Sequence, residues 1–150
     1  MSSTSSPETL SEFLPFLLFQ AAELTSRNFQ KRYQSRYGML RTEWRVLFHL
    51  GSESEQTAKQ ICQRASLHKT KVSRAVKALE AKRFVTRFTV ETDRRSERLG
   101  LTKAGQRVFE DLSGVAEDFD QTLEQAVGSK EHKQLVKTLQ RLIELHQTKT

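Results

Sequence analysis

One change of hydrophobic period constrains this chain more than any other feature. In "HKTKVSRAVKALEAKRF", His68 to Phe84, the residues Val72, Ala75, Val76 and Leu79 recur at i, i+3, i+4 and i+7, the apolar stripe of an amphipathic helix. Directly afterwards the period falls to two: Phe84, Thr86, Phe88 and Val90 alternate with Val85, Arg87 and Thr89. Residues 98–101 then supply a returning strand with Leu99 and Leu101 on one face. A helix with one wet face leading straight into a short hairpin leaves few architectures open.

What precedes the helix narrows them further. Thr42 is placed to cap a helix with Trp44, Leu47 and Phe48 at inward spacing, closed by Gly51. Thr57 and Gln60 have capping-box spacing and open a short helix with Ile61, Cys62 and Ala65 inward, broken at Ser66-Leu67. A short helix, a tight turn, a second helix and a hairpin make a winged helix-turn-helix over about residues 40–103, with the charged tip as the wing.

Helices remain on both sides of this lobe. One covers about 12–36, with Pro15 tolerated in its opening turn, apolar residues on more than one side and Gly38 at its end. Thr102 caps a long helix with Val108, Leu112, Val115, Phe119, Leu123 and Ala126 three or four apart. Gly128-Ser129 interrupts it before a last helix carrying Leu135, Leu139, Leu142 and Ile143, so this region spans about 104–147. Residues 1–9, rich in Ser and Thr, read as disordered. The fold expected is mainly α with a small β-hairpin wing: a single domain over 10–148, with a winged helix-turn-helix lobe and a helical dimerisation region. A core of this size leaves the terminal apolar faces unpartnered, which points to a homodimer.

Charge says what the lobe meets. Ten basic and four acidic residues fall between His68 and Arg98, so this window holds +6 of the chain's net +7. Such a concentration is the footprint of a polyanion binder, here double-stranded DNA. Thr70 and Ser73 allow close approach to base edges, and Lys69, Lys71, Arg74 and Lys77 reach bases or phosphates, with His68 at the helix start. Arg87, Arg94 and Arg95 extend the candidate set to the wing, where a projecting arginine enters a minor groove. Asp93 reads as structural, holding the turn backbone and a neighbouring arginine.

Other classes find little support. The four histidines show no metal-ligand spacing with one another or with Cys62, and no nucleophile–base pair or phosphate-cradling loop is visible. No enzyme, metal or cofactor is expected. The run "FLPFLLF" is too short to span a bilayer and has no Lys or Arg before it, the first being Arg27. No membrane association is expected, and the chain reads as cytoplasmic. A lone cysteine excludes a disulfide framework.

The stretches "GMLRTEWRVLFHL", "VSRAVKALEAKRFVTR" and above all "DRRSERLGLTKAG" resemble the MarR family of bacterial transcription regulators. The last fits that family's wing pattern of Asp, any residue, Arg, then Leu-x-Leu-Thr and a Gly three residues on. The resemblance runs from about Leu14 to the end. It implies an obligate dimer through the terminal helices and binding to a pseudo-palindrome, usually to repress. It also implies that Arg95 is the minor-groove arginine and that His68 to Lys77 form the front of the recognition helix. Two positions depart from the pattern: Arg83 stands where the family usually has glycine, and His68 where a Ser cap is common, which is expected to leave that helix start less satisfied.

An effector crevice is expected where the first, second and fifth helices meet. Its aromatic candidates are Phe19, Phe29, Tyr37, Trp44 and Phe48, with Arg45 and His49 as polar anchors. Such a lining suits a small phenol or aryl carboxylate, which the resemblance also implies. Trp44 and Phe48 fit plain helix packing equally well. Two other functions stay open from the sequence: an architectural protein with weak sequence preference, and a thiol-based regulator acting through Cys62.

Overall fold

The computed structural model describes residues 10–90 and 93–147, without the side chains of Val90 and residues 93–96. After a short 3-10 turn at Leu10–Glu12, the elements are α1 (Leu14–Tyr37), α2 (Arg41–Ser52), β1 (Gln56–Thr57), α3 (Ala58–Ala65) and α4 (Lys69–Ala81). They continue with β2 (Val85–Val90), β3 (Asp93–Leu101), α5 (Lys103–Val127) and α6 (Ser129–Gln147). The expected class holds: a mainly helical chain with a small antiparallel sheet. The expected disorder of residues 1–9 lies outside the described residues, as do residues 91–92.

The chain divides into two compact units, residues 1–110 and 111–150. In the first, Val72, Ala75, Val76 and Leu79 of α4 are all buried, beside Val46, Leu47 and Leu50 of α2, Ile61 and Ala65 of α3, and Val85 and Leu99 of the sheet. Each fully buried Val or Leu contributes about 1.5–3 kcal/mol. That outweighs the ~0.7 kcal/mol or less by which a β-branched residue disfavours a helix. Cys62 was expected inward with Ile61 and Ala65 and is half-buried, while those two are buried.

The sheet has three strands in the order β1-β3-β2, not the two of a bare hairpin. Gln56 pairs with Leu99 and Thr57 with Arg98, while β2 pairs with β3 from Val85↔Leu101 to Val90↔Asp93, with an irregularity between Thr89 and Val90. A strand of two residues shows no alternation, so β1 left no periodic trace in the sequence. The returning strand also starts at Asp93 rather than at residue 98.

Several helix ends follow the sequence closely. The Gly38 C-cap of α1 is left-handed at φ 63°. Thr57 Oγ1 accepts the Gln60 N–H at 3.2 Å and Gln60 Oε1 accepts the Thr57 N–H at 3.0 Å, completing the capping box. Thr102 Oγ1 accepts the Gly105 N–H at 3.0 Å and donates to the Arg83 carbonyl at 2.6 Å, tying the start of α5 to the end of the α4 turn. Arg83 has φ 63°, so the residue that follows the α4 C-cap is left-handed.

Three others differ. Thr42 does not cap α2; Leu40 precedes the helix, and Glu43 Oε2 accepts the Leu40 N–H at 3.0 Å. Gly51 lies inside α2 rather than closing it, where a Cβ would run into the Phe109 ring. His68 leaves no deficit at the start of α4, because its Nδ1 accepts the Thr70 N–H at 3.3 Å as a serine hydroxyl would.

In the second unit, α5 turns into α6 through Gly128 at φ 103°. The elbow is held by the Ser129 hydroxyl on the Glu124 carboxylate and by His132 Nε2, 3.0 Å from Asp120 Oδ1. On α6, Leu135, Val136, Ile143 and Leu145 are exposed.

Candidate nucleic-acid interface and the cleft between α1 and α2

Burying one stripe of α4 obliges the other to face water. His68, Lys69, Thr70, Lys71, Ser73, Arg74 and Lys77 are all exposed, and Lys69, Lys71, Arg74 and Lys77 form no ion pair among the described residues. Four unneutralised cations and two small hydroxyls therefore share one helical surface. The other end of α4 is anchored: Lys82 Nζ, at the C-cap, lies 3.2 Å from Glu43 Oε1, whose side chain is 4% exposed.

Arg87 stands apart from this set. Its Nε donates to Glu80 Oε1 at 2.6 Å and its Nη1 to Glu97 Oε2 at 3.1 Å. Those carboxylates, Glu80 first, hold its pKa above the ordinary guanidinium value. The side chains of Asp93, Arg94 and Arg95 lie outside the described residues; their backbone belongs to β3.

A cleft of about 280 Å³ opens between α1 and α2, lined in part by Phe19, Glu23, Phe29, Tyr33, Arg41 and Trp44. Of the sequence candidates, Phe19, Phe29, Trp44 and Arg45 line it, and Tyr37, Phe48 and His49 do not. Tyr37 is instead edge-on to Phe84 at 6.1 Å, and Phe48 is exposed beside Phe109 at 6.2 Å. His49 is half-buried behind Phe48, and that burial, with Arg45 nearby, lowers its pKa from the ordinary 6.5. Nor does the fifth helix contribute, because the lining comes from the first two helices.

The interior of the cleft is an aromatic cluster with an ion pair at its edge. Tyr33, 1% exposed, stacks on Trp44 at 5.6 Å, and Phe29 meets both rings edge-on at 5.4 and 5.3 Å. Burial raises the Tyr33 pKa above its usual 10.0, keeping the phenol neutral. Arg41 donates to both oxygens of Glu23, at 3.0 and 3.3 Å, and this pairing lowers the Glu23 pKa. Arg45 is exposed at the mouth and pairs with no carboxylate among the described residues. Glu23, Tyr33 and Arg41 were missed in the sequence; Glu23 and Arg41 are 18 residues apart and no local pattern joins them.

Among the described residues, no group of three or more His, Cys, Asp or Glu could hold a metal ion, and no helix is long and apolar enough to cross a membrane.

Comparison with known proteins agrees with this geometry. A family model described as the MarR family matches residues 37–96, from the end of α1 into the wing. The chain is similar to the HTH-type transcriptional regulator SarZ of Staphylococcus saprophyticus, 28% identical over 145 residues that cover 92% of each protein. SarZ of Staphylococcus epidermidis is 27% identical over 143 residues, covering 94% of this chain and 93% of the relative. A MarR/EmrR family transcriptional regulator from Acinetobacter sp. ADP1 superposes with a TM-score of 0.83 at 26% identity, over 93% of this chain and 99% of that one. NadR, solved in complex with 4-hydroxyphenylacetate, shares the fold at a TM-score of 0.73 and 19% identity, over 93% and 96% of the two chains.

Proposed function

Because the chain belongs to the MarR family of transcriptional regulators, we propose that it acts as a homodimeric, sequence-specific repressor, released from a pseudo-palindromic operator by a small aromatic acid or phenol. The observation that carries this reading is the outer face of α4, where Lys69, Thr70, Lys71, Ser73, Arg74 and Lys77 are exposed above a fully buried apolar stripe. Thr70, Ser73 and Arg74 read base edges in the major groove; Lys69, Lys71 and Lys77, with His68 at the helix start, hold phosphates. Arg94 and Arg95 enter the adjoining minor groove, with Asp93 shaping the turn.

Dimerisation is supported by large apolar side chains left in water at both ends of the chain. Leu10, Phe13, Leu14, Leu17 and Phe19 are exposed near the start, and Leu135, Val136, Ile143 and Leu145 on α6. Covering such surface is favourable by ~25 cal/mol per Å², and a two-fold pair places two recognition helices one DNA turn apart, about 34 Å.

The effector reading rests on the cleft, where aromatic rings supply the apolar walls and Arg45, which has no carboxylate partner among the described residues, supplies a cationic end for a carboxylate. The ligand of NadR, which has the cleft-sized combination of phenol and carboxylate, is the first probe to try. Coupling runs through the first turn of α2, which carries Arg41 toward the cleft and Glu43 toward Lys82 at the end of α4. A ligand that binds one arrangement of that turn better shifts the population of recognition-helix spacings; a coupling of ~1–3 kcal/mol weakens DNA binding about 5- to 150-fold.

In vitro selection from random-sequence duplexes tests the core of this reading. A two-fold motif with half-sites about 10 base pairs apart is expected. Recovery of unenriched sequence would favour the architectural alternative, and loss of binding on oxidation in wild type but not in Cys62→Ala the thiol one.

A further inference from the structure

We propose that Arg87 is a positioning residue that holds the wing against the recognition helix, and not one of the basic groups that bind DNA phosphates. The proposal rests on the DNA-binding reading above and changes which residues carry it.

Charge alone puts Arg87 with the DNA contacts; the sheet register does not. Val85 and Arg87 lie two residues apart on β2 and so share a face, and across the ladder they stand opposite Leu101 and Leu99. Val85 is 4% and Leu99 2% exposed, so this is the core face of the sheet. Arg87 therefore leaves the sheet toward α4. There its guanidinium takes Glu80, in the last turn of α4, through Nε, and Glu97, on β3, through Nη1. One side chain thus joins α4, β2 and β3.

The charge balance of this triad opposes a phosphate role. Two carboxylates surround one guanidinium, for a local charge of −1. A phosphate that captured Arg87 would strip Glu80 and Glu97 of their partner and leave both beside a polyanion. Lys69, Lys71, Arg74 and Lys77 carry no such encumbrance among the described residues.

The location suits a strut. Recognition helix and wing have to enter neighbouring grooves at a set angle, and the β2–β3 ladder has its irregularity at Thr89/Val90, just beyond Arg87 toward the tip. A bulge is where a strand bends. The triad fixes β2 and β3 to α4 on the core side of that bend.

The test compares Arg87→Gln, Arg87→Lys, Glu80→Gln and Lys77→Gln. Affinity is measured by fluorescence anisotropy across a salt series, for a selected duplex and a random duplex of equal length, with thermal melts to establish folding. A strut predicts that Arg87→Gln and Glu80→Gln both weaken binding to the selected duplex, about 2- to 5-fold each, with unchanged salt slopes. Arg87→Lys should behave like Arg87→Gln, because one ammonium does not span both carboxylates. Lys77→Gln should lower the slope of log affinity against log salt by about 0.9, the signature of a lost phosphate contact. Glu80→Gln decides by sign, since a phosphate-binding Arg87 would be freed by it and bind DNA more tightly. Tighter binding by Glu80→Gln, wild-type affinity in Arg87→Lys, or a slope change of about 0.9 in Arg87→Gln overturns the proposal. Absence of salt-dependent binding by the wild type to either duplex overturns the DNA-binding reading itself, before any variant is compared.

Discussion

The carboxylate of Glu43 is shared between Lys82 Nζ, 3.2 Å from Oε1, and the Leu40 N–H, 3.0 Å from Oε2. A side chain that is nearly wholly buried thus caps α2 and anchors the far end of α4. Removing it leaves both donors without their acceptor. Glu43→Ala should cost about 3 kcal/mol in urea denaturation. Glu43→Gln keeps an acceptor for the Leu40 N–H and should cost less than half of that. Equal stability of Glu43→Ala and wild type would remove the anchor from the account.

Arg83 is held left-handed, at φ 63°, where a Cβ is unfavourable. Arg83→Gly should raise stability by about 1 kcal/mol, the strain relieved exceeding the entropy added to the unfolded chain. Gly105 makes the opposite case, because a Cβ there would strike the backbone carbonyl of Phe84. Gly105→Ala should destabilise by ~1–3 kcal/mol. It should also cost more than Gly51→Ala, where the obstacle is the Phe109 ring, which can shift. Chemical denaturation of the three variants checks the order.

His49 predicts a pH dependence. Its folded pKa lies below the 6.5 of the free side chain because burial, and then Arg45, disfavours the imidazolium. Between those two values the unfolded chain binds more protons, so stability is full above pH 6.5 and falls as the pH drops through the folded pKa. His49→Gln should flatten the loss between neutral pH and that point. Glu23, also depressed, acts in a separate window below its ordinary 4.5. Denaturation midpoints at a series of pH values would reveal an unchanged slope in His49→Gln if this assignment is wrong.

The proposed effector site makes a prediction at Arg45. Replacing Arg45, the cation without a carboxylate partner among the described residues, should weaken an aryl carboxylate more than a neutral phenol of the same size. A charge-assisted hydrogen bond is worth ~1.5–3 kcal/mol, so Arg45→Gln should cost roughly tenfold or more in affinity for 4-hydroxyphenylacetate, read by Trp44 fluorescence. Equal losses for both ligands would place the carboxylate elsewhere.

Much of this was legible in the sequence, and the misses share a cause. Val72, Ala75, Val76 and Leu79 announced α4 because burial repeats with the helix, and the Thr57–Gln60 and Thr102–Gly105 caps were local enough to read. What escaped was set by distant partners: Gln56 joining β3, Glu43 reaching Lys82, and Arg41 finding Glu23. The same blindness grouped Arg87 with the free cations, since Glu80 and Glu97 become its neighbours only when the sheet folds onto α4. It also put Tyr37, Phe48 and His49 in a cleft they do not line, because aromatic content does not reveal which face of a helix a cleft occupies.

Whether α4 reads DNA sequence is decided by competition binding. Labelled duplex carrying the selected motif is displaced by unlabelled random duplex at about 0.15 M salt, for wild type and for Arg74→Ala. Sequence-specific recognition by α4 predicts a preference of ~10³-fold or more for the motif in the wild type. In Arg74→Ala a loss of ~1–3 kcal/mol is expected, confined to defined base pairs. A wild-type preference near unity, or an Arg74→Ala loss spread evenly over all sequences, would contradict it.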